Sequence, residues 1–237
     1  MMSSTLVFYI AMLSLPAVVP AQDAAPDALY RQRGTPGRAE AAAAVWEAQL
    51  AADSANVDAA WKLARAMYWV GTHGPEAGRR AALEKGVAAA RHAIAAAPQR
   101  PEGHFWAAAN MGALAESFGL RQGLRYRADI KRELETVLRI DPGYQQGSAD
   151  RALGRWYHKV PRLFGGSQQK AEGHLRRSLT YNANSTVSHF FLAELLFDMD
   201  RDAEAIAELH KVLNAPPDPD WEPEDRLYKE RARQRLN

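Results

Sequence analysis

The sequence predicts an all-α fold of stacked helical hairpins, and three observations support that prediction. An aromatic-rich helical segment followed by a more charged one recurs four times along the chain. Alanine, the residue with the highest helix propensity, is abundant and occurs in runs, and short strands with period-two alternation are absent. Self-similarity at a period of about 30 to 50 residues is typical of an α-solenoid, in which each unit buries its apolar face only against its neighbours. Turn signals close the four repeats at Ala97-Pro98, Asp141-Pro142, Asn182-Ala183-Asn184 and Ala215-Pro216-Pro217.

Residues 1–21 predict a signal peptide. Leu6–Leu15 is an uncharged apolar run that is short for a bilayer-spanning helix. Val19-Pro20-Ala21 places small residues at the two positions that signal peptidase reads. We therefore expect cleavage after Ala21 and an exported location, periplasmic or secreted. The alternative is an uncleaved N-terminal anchor, because residues 1–4 carry no Lys or Arg, and membrane association is expected only in that case.

Composition excludes several classes of function. The chain has no cysteine, which rules out disulfides, thiol catalysis, thiolate metal sites and a lipoprotein anchor. The formal net charge is +2 and charges of both signs are mixed along the chain, so no basic block suits a nucleic acid.

The bounds of the predicted elements follow from the helix-breaking and turn-forming residues of the chain. Residues 22–37 are polar and contain prolines and glycines, which indicates a flexible leader before a repeat domain at 38–237. A helix at 38–52 caps one end of that domain, and a mostly polar helix at 224–236 follows a cluster of prolines and caps the other. The four hairpins pair residues 57–70 with 75–96, 101–118 with 123–140, 148–160 with 167–181, and 186–199 with 202–213.

Residues inside the hairpins resemble those of the tetratricopeptide repeat. Small residues at fixed offsets let the second helix of a unit nest against bulky residues of the first. The fourth repeat shows the pattern most fully, with Leu192-Ala193, Leu196, Ala205, Leu209 and Pro217. The resemblance implies an α-solenoid of tetratricopeptide-like hairpins with capping helices at both ends.

Two segments resemble a narrower family. Arg151–Pro161, followed by Phe164-Gly165-Gly166-Ser167, and the earlier stretch His104–Asn110 are similar to the T component of TRAP-type transporters. That resemblance implies a periplasmic accessory that binds a hydrophobic ligand or a solute-binding protein. Known T components are typically lipoproteins, and this chain lacks the required cysteine. Regulators of microtubule dynamics have a similar layout and are the second candidate family.

The first helix of each hairpin is expected to line a concave groove, where residues at i, i+4 and i+7 share a face. Aromatic walls with convergent cations suit an organic anion or an acidic, partly apolar peptide. The alternative is that the aromatic residues belong to the core and the arginines are solvated or paired. The predicted groove residues are Lys62, Trp69, Phe105, Arg151, Arg155, His158, Phe190, Glu194 and Phe197.

The loop around Pro161, Phe164, Gly165 and Gly166 is the most unusual connection. Pro161 cannot continue a helix, and the paired glycines permit a left-handed backbone. Leu163 and Phe164 are expected either to form a lip over the groove or dock on a partner, or to fill the core between hairpins.

Catalytic motifs are absent from the sequence. The seven histidines show no metal-binding pairing, and there is no nucleophile elbow, P-loop or dinucleotide fingerprint. We therefore expect a binding protein without enzymatic activity, cofactor or metal. Two functions remain open: an accessory of solute uptake that binds a small organic ligand, and an envelope scaffold that binds a peptide or protein. The identity of the partner and self-association are also open.

Overall fold

A computed structural model describes residues 25–237, so the predicted signal peptide lies outside the described residues. This part of the chain is all-α and contains eleven α-helices, which confirms the predicted fold class. They are α1 (Pro26–Arg31), α2 (Arg38–Ala52), α3 (Val57–His73), α4 (Glu76–Ala96), α5 (Pro101–Ser117), α6 (Leu120–Ile140), α7 (Tyr144–Lys159), α8 (Gln168–Tyr181), α9 (Thr186–Phe197), α10 (Asp202–Asn214) and α11 (Glu222–Leu236).

The helices pair as the sequence predicts. Helices α3 and α4, α5 and α6, α7 and α8, and α9 and α10 form antiparallel hairpins, and each hairpin packs on the next. The first helices of the hairpins also contact one another in order, so that α3, α5, α7 and α9 form one continuous layer. This arrangement is a solenoid with a core that runs through every repeat.

Helix ends follow local capping chemistry. The side chains of Asn56, Ser167 and Ser185 accept hydrogen bonds from backbone N–H groups in the first turns of α3, α8 and α9. Helix α3 continues through Gly71 to His73, where a turn was expected. A Cβ atom at Gly71 would lie 2.5 Å from Cγ of Leu83, so this glycine lets α4 approach α3 closely and does not break the helix.

The start of α7 has an unusual backbone. Gln145, Gln146 and Gly147 all have left-handed conformations, with φ angles of 44°, 58° and 74°. A side chain at Gly147 would also collide with Tyr181, whose Cδ2 would lie 2.6 Å from the added Cβ. For the two glutamines the left-handed region costs roughly 1–2 kcal/mol per residue. The regular helix therefore begins at about Ser148, as the sequence predicts.

A buried histidine recurs in two repeats. In α5, His104 places Nδ1 2.6 Å from Oε2 of Glu133 and Nε2 2.9 Å from the Pro98 carbonyl. In α9, His189 makes the equivalent contacts with Glu208, at 2.5 Å, and with the Ala183 carbonyl, at 2.9 Å. The hydrogen bond to Glu133 raises the pKa of His104 and lowers that of the carboxyl. These pairs tie the two helices of a hairpin to the preceding turn.

The flexible leader predicted at 22–37 is wrong for the residues that the structure describes, 25–37. Residues 26–31 form α1, and Leu29 and Tyr30 are buried. The Tyr30 ring packs 5.9 Å from the ring of Trp46 in α2. Two apolar side chains are enough to anchor a segment whose composition is otherwise polar. None of the helices between residues 25 and 237 combines the length and the apolar composition of a bilayer-spanning helix.

Candidate functional site

The faces of α3, α5, α7 and α9 that carry the predicted groove residues form one surface, here called the concave surface. Segments from both ends of the chain lie against it. Arg33, which follows α1, and Glu224, in α11, are 191 positions apart in sequence and form an ion pair. The solenoid therefore curves enough to bring its two ends together across this surface.

At the N-terminal end, the turn after α1 and α1 itself cover the face of α3. Lys62 donates to Asp27 at 2.7 Å, and Arg65 pairs with the same carboxylate at 3.3 Å. The Arg65 guanidinium lies 4.0 Å from the centre of the Tyr30 ring. Trp69 stacks on His73 at 3.7 Å, with the Arg33 guanidinium 5.3 Å from the tryptophan ring. The predicted groove residues of this repeat thus contact the chain's own N-terminal segment.

At the C-terminal end, α11 and the loop before it cover α7 and α9. The Tyr228 ring lies 5.2 Å from Phe190 and packs edge-on against Phe191 at 5.7 Å. The Arg235 guanidinium lies 5.1 Å from the ring of Phe197. Trp221, just before α11, covers Arg151 at 5.4 Å. Three more predicted groove residues are therefore in contact with the C-terminal segment.

The predicted residues between these ends are paired with their neighbours. Arg155 donates to Glu116 at 2.8 Å and to Glu194 at 2.5 Å. Burial opposes the charged form, but the bonds with Glu116 and Glu194 leave the pKa of Arg155 raised. His158 places Nε2 2.7 Å from Oδ2 of Asp198, although burial lowers the pKa of this histidine.

Phe105 is buried in the packing between hairpins. Its ring lies 5.0 Å from Trp106 and 5.5 Å from Tyr144. Its surroundings agree with the alternative that it belongs to the core.

The ion pair between Arg33 and Glu224 closes the surface. The guanidinium contacts both carboxylate oxygens, at 2.5 and 3.1 Å, and donates to the Asp220 carbonyl at 2.7 Å. The two side chains are only 5% and 18% exposed. Burial raises the pKa of Glu224 in spite of the hydrogen bond from Arg33. Separation of such a buried pair is strongly unfavourable, because it leaves a buried charge uncompensated.

The loop after α7 projects away from the core. Pro161 is exposed and precedes a short 3₁₀ turn, Arg162–Phe164. Leu163 is 88% exposed, so it does not fill the core between hairpins. Phe164 is half-buried beneath the Arg127 guanidinium at 5.5 Å. Gly165 has a φ of 103°, and Gly166 lies so close to Val160 that an added Cβ would be 1.7 Å from the Val160 carbonyl oxygen.

Sequence reasoning missed the residues that cover the concave surface. They are Asp27, Tyr30, Arg33, Trp221, Glu224 and Tyr228. The available signal was an aromatic side chain beside charged ones in each terminal segment. Within residues 25–237, no group of three or more His, Asp or Glu side chains is placed to hold a metal ion.

These features define a tetratricopeptide-like helical repeat protein. The fold is similar to the crystal structure of TTC0263, a thermophilic tetratricopeptide protein of Thermus thermophilus, with a TM-score of 0.68 and 23% identity over 89% of this chain and 95% of that one. It is also similar to the crystal structure of MamA, with a TM-score of 0.51 and 14% identity over 84% and 95% of the two chains. At these identities the likeness concerns the fold alone.

Residues 26–171 match the family model described as regulator of microtubule dynamics protein 1-3, and the chain belongs to that family. The match begins at the first residue of α1, which agrees with a folded segment there. Of the two candidate families that the sequence resembles, this match supports the regulators of microtubule dynamics. No curated protein sequence matches the chain.

Proposed function

We propose that the protein is a non-catalytic scaffold whose concave surface binds a helical segment of a partner protein. The observation that carries the proposal is α11, a mostly polar helix that already lies on this surface and presents Tyr228 to it. Its Tyr228 packs on Phe190 and Phe191, and its Arg235 lies over Phe197. An aromatic groove that receives an amphipathic helix is a recurrent mode of peptide recognition.

The contacts of α11 describe the helix that the surface accepts. Acidic residues occupy its first turn and basic residues its last, an order that also complements the helix dipole. Glu224 and Tyr228 are four positions apart and therefore share one face. A partner helix is expected to carry the same order: an acidic residue, an aromatic residue one turn later, and a basic residue near its end.

Helix α11 is suited to be displaced. Only Pro223, Asp225 and Ala232 are buried in it. Segments with few buried apolar contacts open at lower free energy than the core. A partner helix can then exchange with α11 while the solenoid stays folded.

A peptide of residues 221–237 tests this proposal. In the full-length chain the tethered α11 competes at an effective concentration of about millimolar, so weak or no binding to the wild type is expected. Tyr228→Ala in the full-length chain weakens the tethered helix and should allow the native peptide to bind, as measured by fluorescence anisotropy.

Two controls make the test specific. Glu230→Ala alters α11 at an exposed position and should leave peptide binding at the wild-type level. A peptide that itself carries Tyr228→Ala should bind none of the three chains. Equal binding of the native peptide to all three chains, or binding to none of them, would argue against helix recognition by the concave surface.

We also propose that the chain is exported. Support comes from the apolar run Leu6–Leu15 and from Val19-Pro20-Ala21, which suits signal peptidase. Expression of the full sequence in a host with an export pathway, followed by N-terminal sequencing, should give Gln22 as the first residue. A chain that retains residues 1–21 would contradict cleavage and favour an anchor.

A second, narrower proposal is an accessory role in TRAP-type solute uptake, with a hydrophobic or anionic small ligand or the solute-binding protein as partner. The resemblance of Arg151–Pro161 to the T component supports it, together with an Arg151 side chain that has no counter-ion among the described residues. Native mass spectrometry of the gently purified chain should reveal a retained mass that is lost on denaturation. A clean mass, with no complex formed on addition of a solute-binding protein, would favour the scaffold.

A further inference from the structure

A cavity of about 250 Å³ lies at the junction of three parts of the chain. Arg151 and Gln146 of α7 form one wall, Asn182 and Thr186 beside the α8–α9 turn form the second, and Trp221 at the start of α11 lies on the third. The cavity is large enough for a small organic molecule, although it is below the range of about 300–1,000 Å³ typical of drug-sized ligands.

Arg151 is a buried cation without a counter-ion in this cavity. The residue is 8% exposed and lines the cavity, and it forms no hydrogen bond or ion pair with any residue in 25–237. The Trp221 ring lies 5.4 Å from its guanidinium, and Tyr68, Tyr228 and Glu224 act on its charge through space. By contrast, Arg33 and Arg155 of the same surface each contact carboxylates. A buried charge without a partner is unfavourable, and burial accordingly lowers the pKa of Arg151.

We propose that this cavity binds a small monocarboxylate, with Arg151 pairing the carboxylate and Trp221 packing against the apolar part of the ligand. A guanidinium offers two parallel N–H groups in the geometry that a carboxylate accepts. The bound anion would supply the charge that Arg151 lacks.

The acidic residues of the cavity restrict the ligand to a single negative charge. Asp225 accepts from the Thr186 hydroxyl at 2.7 Å and from the backbone N–H of Asp218 at 3.0 Å. Asp218 in turn accepts from the Gln146 amide at 3.1 Å. Both carboxylates are thus occupied by partners within the chain, and they leave Arg151 unpaired. Their charge disfavours a ligand with a second anionic group.

The strained start of α7 contributes a polar wall of the same cavity. Gln146 has a left-handed backbone with a φ of 58°. Its side chain donates to Asp218 and accepts from Asn182 at 2.6 Å. Strained backbone persists only where the surroundings fix it, and it concentrates at functional sites. The Gln146 amide is thereby held in the cavity lining by Asp218 and Asn182.

The site exists only when α11 is seated, because Trp221 and Asp225 belong to the segment that covers the concave surface. A bound carboxylate therefore stabilises the closed form by mass action. It also opposes a partner helix that would replace α11. Binding of the carboxylate itself does not depend on the proposed scaffold function, so the two can fail separately.

The test uses the full-length chain and benzoate, a flat monocarboxylate, as the probe. Saturable binding is expected in ligand-observed NMR, with none for benzyl alcohol, which lacks the charge, and weaker binding for phthalate, which carries two. Arg151→Met should weaken benzoate binding by about tenfold to a hundredfold, the usual effect of losing a charge-assisted bond. The matched control is Arg65→Met, which also removes a cation over an aromatic ring but lies at the other end of the surface.

Stability distinguishes a ligand-binding arginine from a structural one. Arg151→Met should be at least as stable as the wild type without ligand, because it removes an uncompensated buried charge. Benzoate should raise the melting temperature of the wild type and not that of Arg151→Met. Equal benzoate binding by wild type and Arg151→Met, or no saturable binding of benzoate to the wild type, would overturn the proposal.

Discussion

The two ends of the concave surface are both covered by the chain itself, but they are held in different ways. At the N-terminal end, Asp27 neutralises Lys62 and Arg65, and every cation of the interface has a carboxylate. At the C-terminal end, Trp221 covers Arg151 with an aromatic ring, and the nearby carboxylates of α11, Glu224 and Asp225, form no ion pair with it among the described residues. The cations of the N-terminal interface are thus all paired, although the carboxylate that pairs with Arg33 is Glu224 of α11. The C-terminal interface leaves a charge and a cavity that a ligand can fill.

The large apolar side chains of the two terminal helices also differ in burial, and those of α1 are buried more deeply. In α1, Leu29 is 1% exposed and Tyr30 8%. In the much longer α11, Tyr228 and Leu227 are only half-buried. The short helix is thus fixed by apolar packing, whereas the long one is held mainly by polar contacts, the ion pair of Glu224 and the hydrogen bond from Thr186 to Asp225, and by rings at its edge. We expect the C-terminal end to open well before the N-terminal end does.

Trp46→Ala should have the largest effect and should break the N-terminal end. Trp46 is 1% exposed and supports the Tyr30 ring. Removal of a buried tryptophan typically costs about 3–5 kcal/mol, through lost burial and the cavity left behind. Urea unfolding followed by circular dichroism measures the loss. Trp61→Ala, at a half-buried site in α3, should cost clearly less, and equal losses for the two variants would contradict the difference in burial.

Arg33→Met should detach α11 while the solenoid stays folded. The substitution leaves the Glu224 carboxylate buried without its partner. The cost of about 3 kcal/mol expected for such a change can be relieved locally by release of α11, whose amides should then exchange hydrogen roughly a hundredfold faster. Hydrogen exchange read by mass spectrometry checks this.

The control for this variant is Arg226→Met, which removes an exposed arginine of α11 that pairs with Glu222. It should leave the exchange of α11 near the wild-type rate. Faster exchange spread evenly over α2 and α9 in Arg33→Met would mean that the ion pair supports the whole fold, and the two ends would then not differ in the way described.

Much of the fold could be predicted from local signals. Helix α2 occupies 38–52 as predicted, because an alanine-rich run lies between a glycine and a polar turn. The hairpins also lie where predicted, although α3 ends three residues later and α6 begins three residues earlier than expected. Helix α1 escaped prediction because six residues are too few to show a hydrophobic period. The burial of Leu29 and Tyr30 depends on packing against α2, where Trp46 lies, and six residues of local sequence do not indicate that contact.

The coverage of the concave surface could not be predicted for a different reason. The sequence indicated which positions of α3, α7 and α9 share a face, and Lys62, Arg151 and Phe190 do contact the chain ends there. Their partners lie in terminal segments far away in sequence. Contact between such segments depends on the curvature summed over four hairpins, and no local pattern encodes that sum.

The contribution of Glu224 to folding stability should depend on pH, which gives a further test of how the C-terminal end is held. Burial raises its pKa in the folded state, so the folded chain takes up a proton more readily than the unfolded chain. The contribution of Glu224 to stability is therefore largest below the unfolded pKa of about 4.3 and is lost as the pH rises through the folded value. The difference in stability between wild type and Glu224→Gln should shift towards the wild type as the pH falls from neutral. An unchanged difference would mean that the ion pair with Arg33 fully offsets the effect of burial on the Glu224 pKa.

Lys62→Met should have the smallest effect, although it removes an ion pair at the end that we consider the more rigid. The Lys62 and Asp27 side chains are 22% and 44% exposed, and pairs with this access to water contribute about 0–1 kcal/mol. Arg65 also remains to balance the charge of Asp27. A loss below about 1 kcal/mol in urea unfolding, with α1 amides still protected from exchange, would show that ring packing and not charge fixes this end. If the α1 amides of Lys62→Met instead exchange as fast as the α11 amides of Arg33→Met, both ends are held mainly by their ion pairs.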